Sequence, residues 1–117
     1  MRGSNILGAL SLQQRNRTLM DQYRYARQKL WEALYALVGS GSIKDRLGYA
    51  YSSLGILQPD KDHPLELRGQ FQNLMTDLER RIVHYSYRPS RINTRHRKAD
   101  QMAESILSLY IALRGGI

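Results

Sequence analysis

The sequence predicts an all-α protein, a small four-helix bundle forming a single domain with one long N-terminal helix, on three observations. Apolar residues recur at spacings of three, four and seven along most of the 117 residues, the period of a helix with one buried face. Glycine and proline cut this pattern into four stretches, at Gly39–Gly41, around Gly55 and Pro59, and at Pro89. No stretch alternates apolar and polar residues as a half-buried strand would, and no internal repeat is visible. Four helices with short connections pack as an up-down bundle. One domain over 1–117 follows, with residues 1–10 expected to fray or lie across the bundle.

The first helix is expected over 12–38. Ser11 and Gln14 read as a capping box, and Leu12, Leu19, Tyr23, Ala26, Leu30, Ala33 and Leu37 form one seam, widened by Leu34 and Val38. Trp31 lies beside that seam. Burial at a helix–helix contact is its expected role, whereas a solvent-facing Trp31 next to Tyr35 would mark a partner or dimer surface. Gly39-Ser40-Gly41 ends the helix, because glycine takes the left-handed cap at little cost.

Ser42 followed by Asp45 starts a second helix over 43–54, with Ile43, Leu47, Ala50, Tyr51 and Leu54 inward and Gly48 weakening it from within. A loop around Pro59 follows. Pro64 fits the first turn of a third helix over 64–87, with Asp62 or His63 as its cap. Leu67, Phe71, Leu74, Leu78, Ile82 and Tyr85 repeat along it, and Pro89 ends it. Thr94 can cap a fourth helix over 95–114 that turns Ala99, Met102, Ala103, Ile106, Tyr110 and Leu113 inward. Leu30, Leu37, Leu74, Leu78, Ile106 and Leu113 are the expected core.

The charge is distributed unevenly. Residues 80–98, RRIVHYSYRPSRINTRHRK, hold seven Lys/Arg residues and no carboxylate, and removing them leaves 11 basic residues against 10 acidic ones. Nearly all of the +8 net charge therefore lies in this stretch, which favours a polyanionic or acidic partner. The expected binding residues are Arg80, Arg81, His84, Tyr87, Arg88, Arg91, Arg95, Arg97 and Lys98. On a third helix reaching residue 87, Arg80, His84 and Arg88 would share one face, and Arg91, Arg95 and Lys98 would continue the patch across the turn. Arginines mixed with Tyr85, Tyr87 and His96 suit phosphates and unpaired bases. A solvated hinge that only keeps the protein soluble is the plain alternative, with Tyr85 in the core. A secondary patch, Arg17, Arg24 and Tyr25, points away from the first-helix seam and would merge with the hinge if the two pack side by side.

Other chemistries find little support. There are no cysteines, hence no disulfide or thiolate site. The three histidines are scattered, so no metal is expected, and DKDH at 60–63 has Pro64 where a calcium loop needs its third ligand. Asp100 and Glu104 lie one turn apart, but pairing with Arg97 or its neighbours is the simpler fate for them. No nucleophile elbow or phosphate loop occurs, so no catalytic residue, enzymatic activity or cofactor is expected. No apolar run is long enough to span a membrane, and the opening MRGSNILGALSL is too weakly apolar for a secretory signal. Cytoplasm is the expected location. The leading expectation is a basic, non-enzymatic helical protein that binds DNA or RNA, or regulates, through the 80–98 hinge. The alternative is a protein–protein interaction module (an adaptor, inhibitor or dimerising bundle) that covers an acidic protein surface, and a homodimer fits either.

Overall fold

The computed structural model describes residues 23–114, in which five helices and a two-residue β-ladder surround one apolar core. The helices are α1 (Arg24–Leu37), α2 (Ile43–Leu54), α3 (Pro59–Asp62), α4 (Leu65–Arg81) and α5 (His96–Leu113). Strands β1 (Ile82–Val83) and β2 (Arg91–Ile92) pair antiparallel, Ile82 opposite Ile92 and Val83 opposite Arg91. α1 packs on α2 and α5, α4 lies along α5, and β2 rests on α2. Residues 12–22 of the expected first helix, with the Ser11/Gln14 box, Leu12 and Leu19, lie outside the described residues.

Local chemistry sets the first connection. Gly41 has φ +103°, a left-handed conformation that suits glycine. Ser42 then caps α2, its Oγ accepting from the Asp45 N–H at 3.2 Å. Arg46 reaches back from α2 to donate to the carbonyls of Gly41 (3.1 Å) and Leu37, so the end of α1 is satisfied by its neighbour. The Pro59 region is not a plain loop. Pro59 opens α3 at a position where its missing N–H costs nothing, and the Asp62 carboxylate accepts from the Gln58 N–H at 2.7 Å. Asp62 and His63 therefore belong to the end of α3, and Pro64 itself is the N-cap of α4.

The expected third helix is too long by six residues. α4 stops at Arg81, and the β-branched pair Ile82-Val83 continues extended, pairing with residues 91–92. The Asn93 N–H donates to the Arg81 carbonyl at 2.8 Å, extending the ladder's closure. Ile92 is fully buried, and that burial against α2 is what a helix through residue 87 would forgo. A strandless four-helix count is thus replaced by five helices and a short hairpin. The last helix is also entered differently: Arg95, not Thr94, is the N-cap of α5, and it makes no side-chain capping bond.

Leu30, Leu37, Leu74, Leu78, Ile106 and Leu113 are all buried, joined by Phe71, Met102, Leu109 and Ile92. Tyr85 is only half-buried, not core. Val38 does not widen the buried seam, being 79% exposed, and Trp31 is 51% exposed. No helix among the described residues is long and apolar enough to cross a membrane.

Candidate functional site

The seven cations of residues 80–98 do not share a helix face, because the chain leaves α4 before His84 and Arg88. Four of them pair with two carboxylates, Asp77 of α4 and Asp45 of α2. At the end of α4, Asp77 receives the Lys98 ammonium at 2.9 Å and Arg81 at 3.4 Å, while Arg81 also donates to the Asp77 carbonyl at 2.9 Å. The Lys98 contact binds the start of α5 to the end of α4, and the Arg81 contacts brace Asp77 from within α4. The Lys98 hydrogen bond, then the charges of Lys98, Arg81 and Arg80, hold the Asp77 carboxyl below its usual range despite partial burial. On α2, Asp45 receives Arg88 at 2.9 Å and Arg91 at 3.4 Å, which fastens the hairpin loop to that helix.

His84 Nδ1 and Ser90 Oγ are hydrogen-bonded at 2.8 Å across the loop. The Arg88 guanidinium sits 5.0 Å from the Tyr85 ring centre, and Tyr85 meets Tyr87 edge-on at 5.9 Å. Tyr87 itself is 81% exposed. Four of the seven cations thus have structural ion pairs, whereas Arg80, Arg95 and Arg97 are exposed and make none among the described residues. At the α4–α5 corner Lys98 and Arg81 contact Asp77 and Arg80 adds its charge there, while Arg95 and Arg97 stand at the start of α5, with Glu79 and Asp100 as the neighbouring carboxylates.

From this corner a groove of about 210 Å³ runs between α4 and α5, lined by Gln70, Asn73 and Asp77 on one side and Lys98, Gln101 and Ser105 on the other. Sequence reasoning missed it. Its signal is present in the sequence as two polar stripes, each spaced i, i+3, i+7, a pattern shared by any solvent-facing helix side. The amides bring both donors and acceptors to the groove wall.

The secondary patch stands elsewhere. Arg17 lies outside the described residues; Arg24 and Tyr25 are exposed at the start of α1, with Lys29 5.6 Å from the Tyr25 ring centre. Arg24 faces Arg114 at the far end of α5, on the order of 25 Å along the helix from Arg97 at a rise of about 1.5 Å per residue. The two basic patches do not merge. Asp100 and Glu104 are exposed and form no ion pair among the described residues, so Arg97 is not their partner. No group of three or more potential metal ligands occurs among the described residues.

No family model, curated protein or solved structure matches this chain. Its functional reading rests on the chemistry of its own surface.

Proposed function

We propose that this chain is a non-enzymatic nucleic-acid-binding protein that grips the phosphate backbone at the corner where α4 ends and α5 begins. The observation that carries this is five cations in the last turn of α4 and the entry to α5, Arg80, Arg81, Arg95, Arg97 and Lys98, of which Arg80, Arg95 and Arg97 are exposed and make no ion pair among the described residues. The Asp77 carboxyl is held low first by its hydrogen bond from Lys98 and then by the charges of Lys98, Arg81 and Arg80. The start of α5 adds to this positive charge. Its first turn holds no acid, its cap residue is an arginine, and its free N–H groups lie at the positive end of the helix dipole. Arginine suits the task because its planar fork meets phosphate oxygens in pairs. The amide-lined groove beside the corner gives base edges or sugars polar partners, and the exposed ring of Tyr87 offers a stacking face.

Fluorescence anisotropy with single-stranded RNA, single-stranded DNA and duplex DNA of equal length tests this across a salt series. If three to four of the five cations touch phosphate, the log–log slope on duplex DNA is expected near −3 to −4, at about −0.9 per contact. Changing Arg80, Arg95 and Arg97 together to glutamine breaks no ion pair among the described residues, so folding is expected to be normal while the slope becomes shallower by up to about 3. Arg88→Gln with Arg91→Gln loosens the hairpin from Asp45 and is expected to change the slope less. Absence of wild-type binding to all three oligonucleotides at about 50 mM salt would end this reading.

A further inference from the structure

At the other end of α5, Trp31 stands half-exposed on α1 and stacks on Tyr35 with ring centres 5.4 Å apart. Tyr35 is 67% exposed and Val38 79%, one turn and two turns further along the same helix face. Leu107, Tyr110 and Ile111 of α5 form the opposite wall, enclosing a groove of about 410 Å³. It continues past Trp31 into a second section of about 440 Å³ walled by Arg24, Arg27, Gln28 and Arg114. The Arg114 guanidinium lies 5.8 Å from the Tyr110 ring centre, which joins the basic section to the apolar one. From Arg24 to Val38 the groove follows about four helical turns, roughly 20 Å. No acidic side chain lines either section among the described residues.

We infer that this α1–α5 groove is a docking site for an acidic amphipathic helix of another protein. The length and shape suit a helix laid in with apolar anchors at i, i+3 or i+4, and i+7. The charge selects the occupant. Carboxylates at one end of the incoming helix meet Arg24 and Arg114, while its apolar side chains cover Trp31, Tyr35 and Val38. The two rivals lack that complementarity. Residues 1–22 carry Arg2, Arg15 and Arg17 against the single carboxylate Asp21. A second copy of the chain brings the same cation-walled groove to the interface.

Trp31 is the sole tryptophan of the chain, so its emission reports directly on the groove. The probe is a synthetic helical peptide of about 14 residues with leucines on one face and glutamates on the other, the length being set by the four turns above. An analogue with lysine for every glutamate serves as its control. The acidic peptide is expected to shift Trp31 emission to the blue, saturably, and to bind at least about 10-fold more tightly than the basic one at low salt. Tyr35→Ser with Leu107→Ser removes two exposed anchors and is expected to weaken binding by about 10-fold or more, with an unchanged melting temperature. Arg24→Glu with Arg114→Glu is expected to reverse the preference between the peptides. Failure of both peptides to bind, or equal binding of both, overturns the inference. A blue shift produced by raising the protein concentration alone also overturns it, since a second copy would then cover the groove. These variants leave the α4–α5 corner intact, so nucleic-acid binding is expected to survive them unchanged.

Discussion

His63 is fully buried with its ring 4.0 Å from that of Phe71, and neither ring nitrogen has a hydrogen-bond partner. Its backbone is better served, the carbonyl accepting from Arg68 Nε at 3.0 Å. Burial pushes the imidazole down to about 4, opposed by Asp62 and reinforced by Arg68. The ring is therefore neutral at pH 7 and still buries one orphaned N–H, a cost of about 1–3 kcal/mol. His63→Leu keeps the volume and removes the donor, so it is expected to stabilise the protein at pH 7 by up to that amount. The pH dependence follows from the direction of the displacement. Because the folded-state value lies below the unfolded one near 6.5, the unfolded chain binds the proton first. Stability is complete above about pH 6.5 and falls as the pH drops toward 4, by at most about 3 kcal/mol. Urea unfolding at pH 7 and 4.5 is expected to show this loss in the wild type and not in His63→Leu; equal wild-type stability at both values would show that the ring is not buried as a neutral group. Asp77 acts in a lower window. Its carboxyl is held down, so its contribution is present above about pH 4 and is lost only below that.

Two glycines inside helices are expected to respond to alanine in opposite ways. Gly48 in α2 lies against the hairpin backbone: a Cβ there would collide with the Ser90 carbonyl oxygen and stand 2.9 Å from the Arg91 Cα. Its lack of a side chain is what lets β2 settle on α2 with Ile92 buried. Gly48→Ala is expected to cost about 1–3 kcal/mol or more, with the hairpin amides exchanging hydrogen faster. Gly69 in α4 has nothing within 4 Å of a Cβ, and Gly69→Ala is expected to stabilise by about 0.5–1 kcal/mol. The entry to α5 is a third local conflict, an uncapped helix start where Arg95 precedes His96, Arg97 and Lys98. Arg95→Ser supplies the missing cap and is expected to raise stability by about 0.5–2 kcal/mol while weakening nucleic-acid binding. A gain in stability with unchanged binding would mean that the cationic helix start has no part in phosphate recognition.

Across the whole molecule the cations of the two proposed surfaces lie towards opposite ends of α5. Arg97 and Arg114 are on the order of 25 Å apart along the helix, more than the Debye length of about 8 Å at 0.15 M salt. An oligonucleotide and the acidic peptide are therefore expected to bind independently at that ionic strength. Anisotropy of a labelled oligonucleotide, with the peptide added to saturation, checks this: displacement would place both ligands on one surface. Lowering the salt to about 10 mM extends the Debye length to about 30 Å, and weak coupling between the sites is then expected.

Helical periodicity in the sequence was enough to name the six core positions Leu30, Leu37, Leu74, Leu78, Ile106 and Leu113, because the repeat fixes a common face whatever packs against it. The turn at Gly41 and the Ser42 cap were legible for a similar reason, their chemistry being complete within a few residues. The charge of 80–98 could be counted, but not which cations are committed to the fold. Asp77 meets Lys98 across 21 positions and Asp45 meets Arg88 across 43, distances that no local pattern records. The end of α4 at Arg81 was hidden likewise, since it depends on the Ser90–Arg91 backbone settling against Gly48 and on the burial of Ile92. The exposure of Trp31, the α1–α5 groove and the burial of His63 were decided only by how the helices came together. Periodicity says which residues share a face; tertiary packing decides how much of that face is covered.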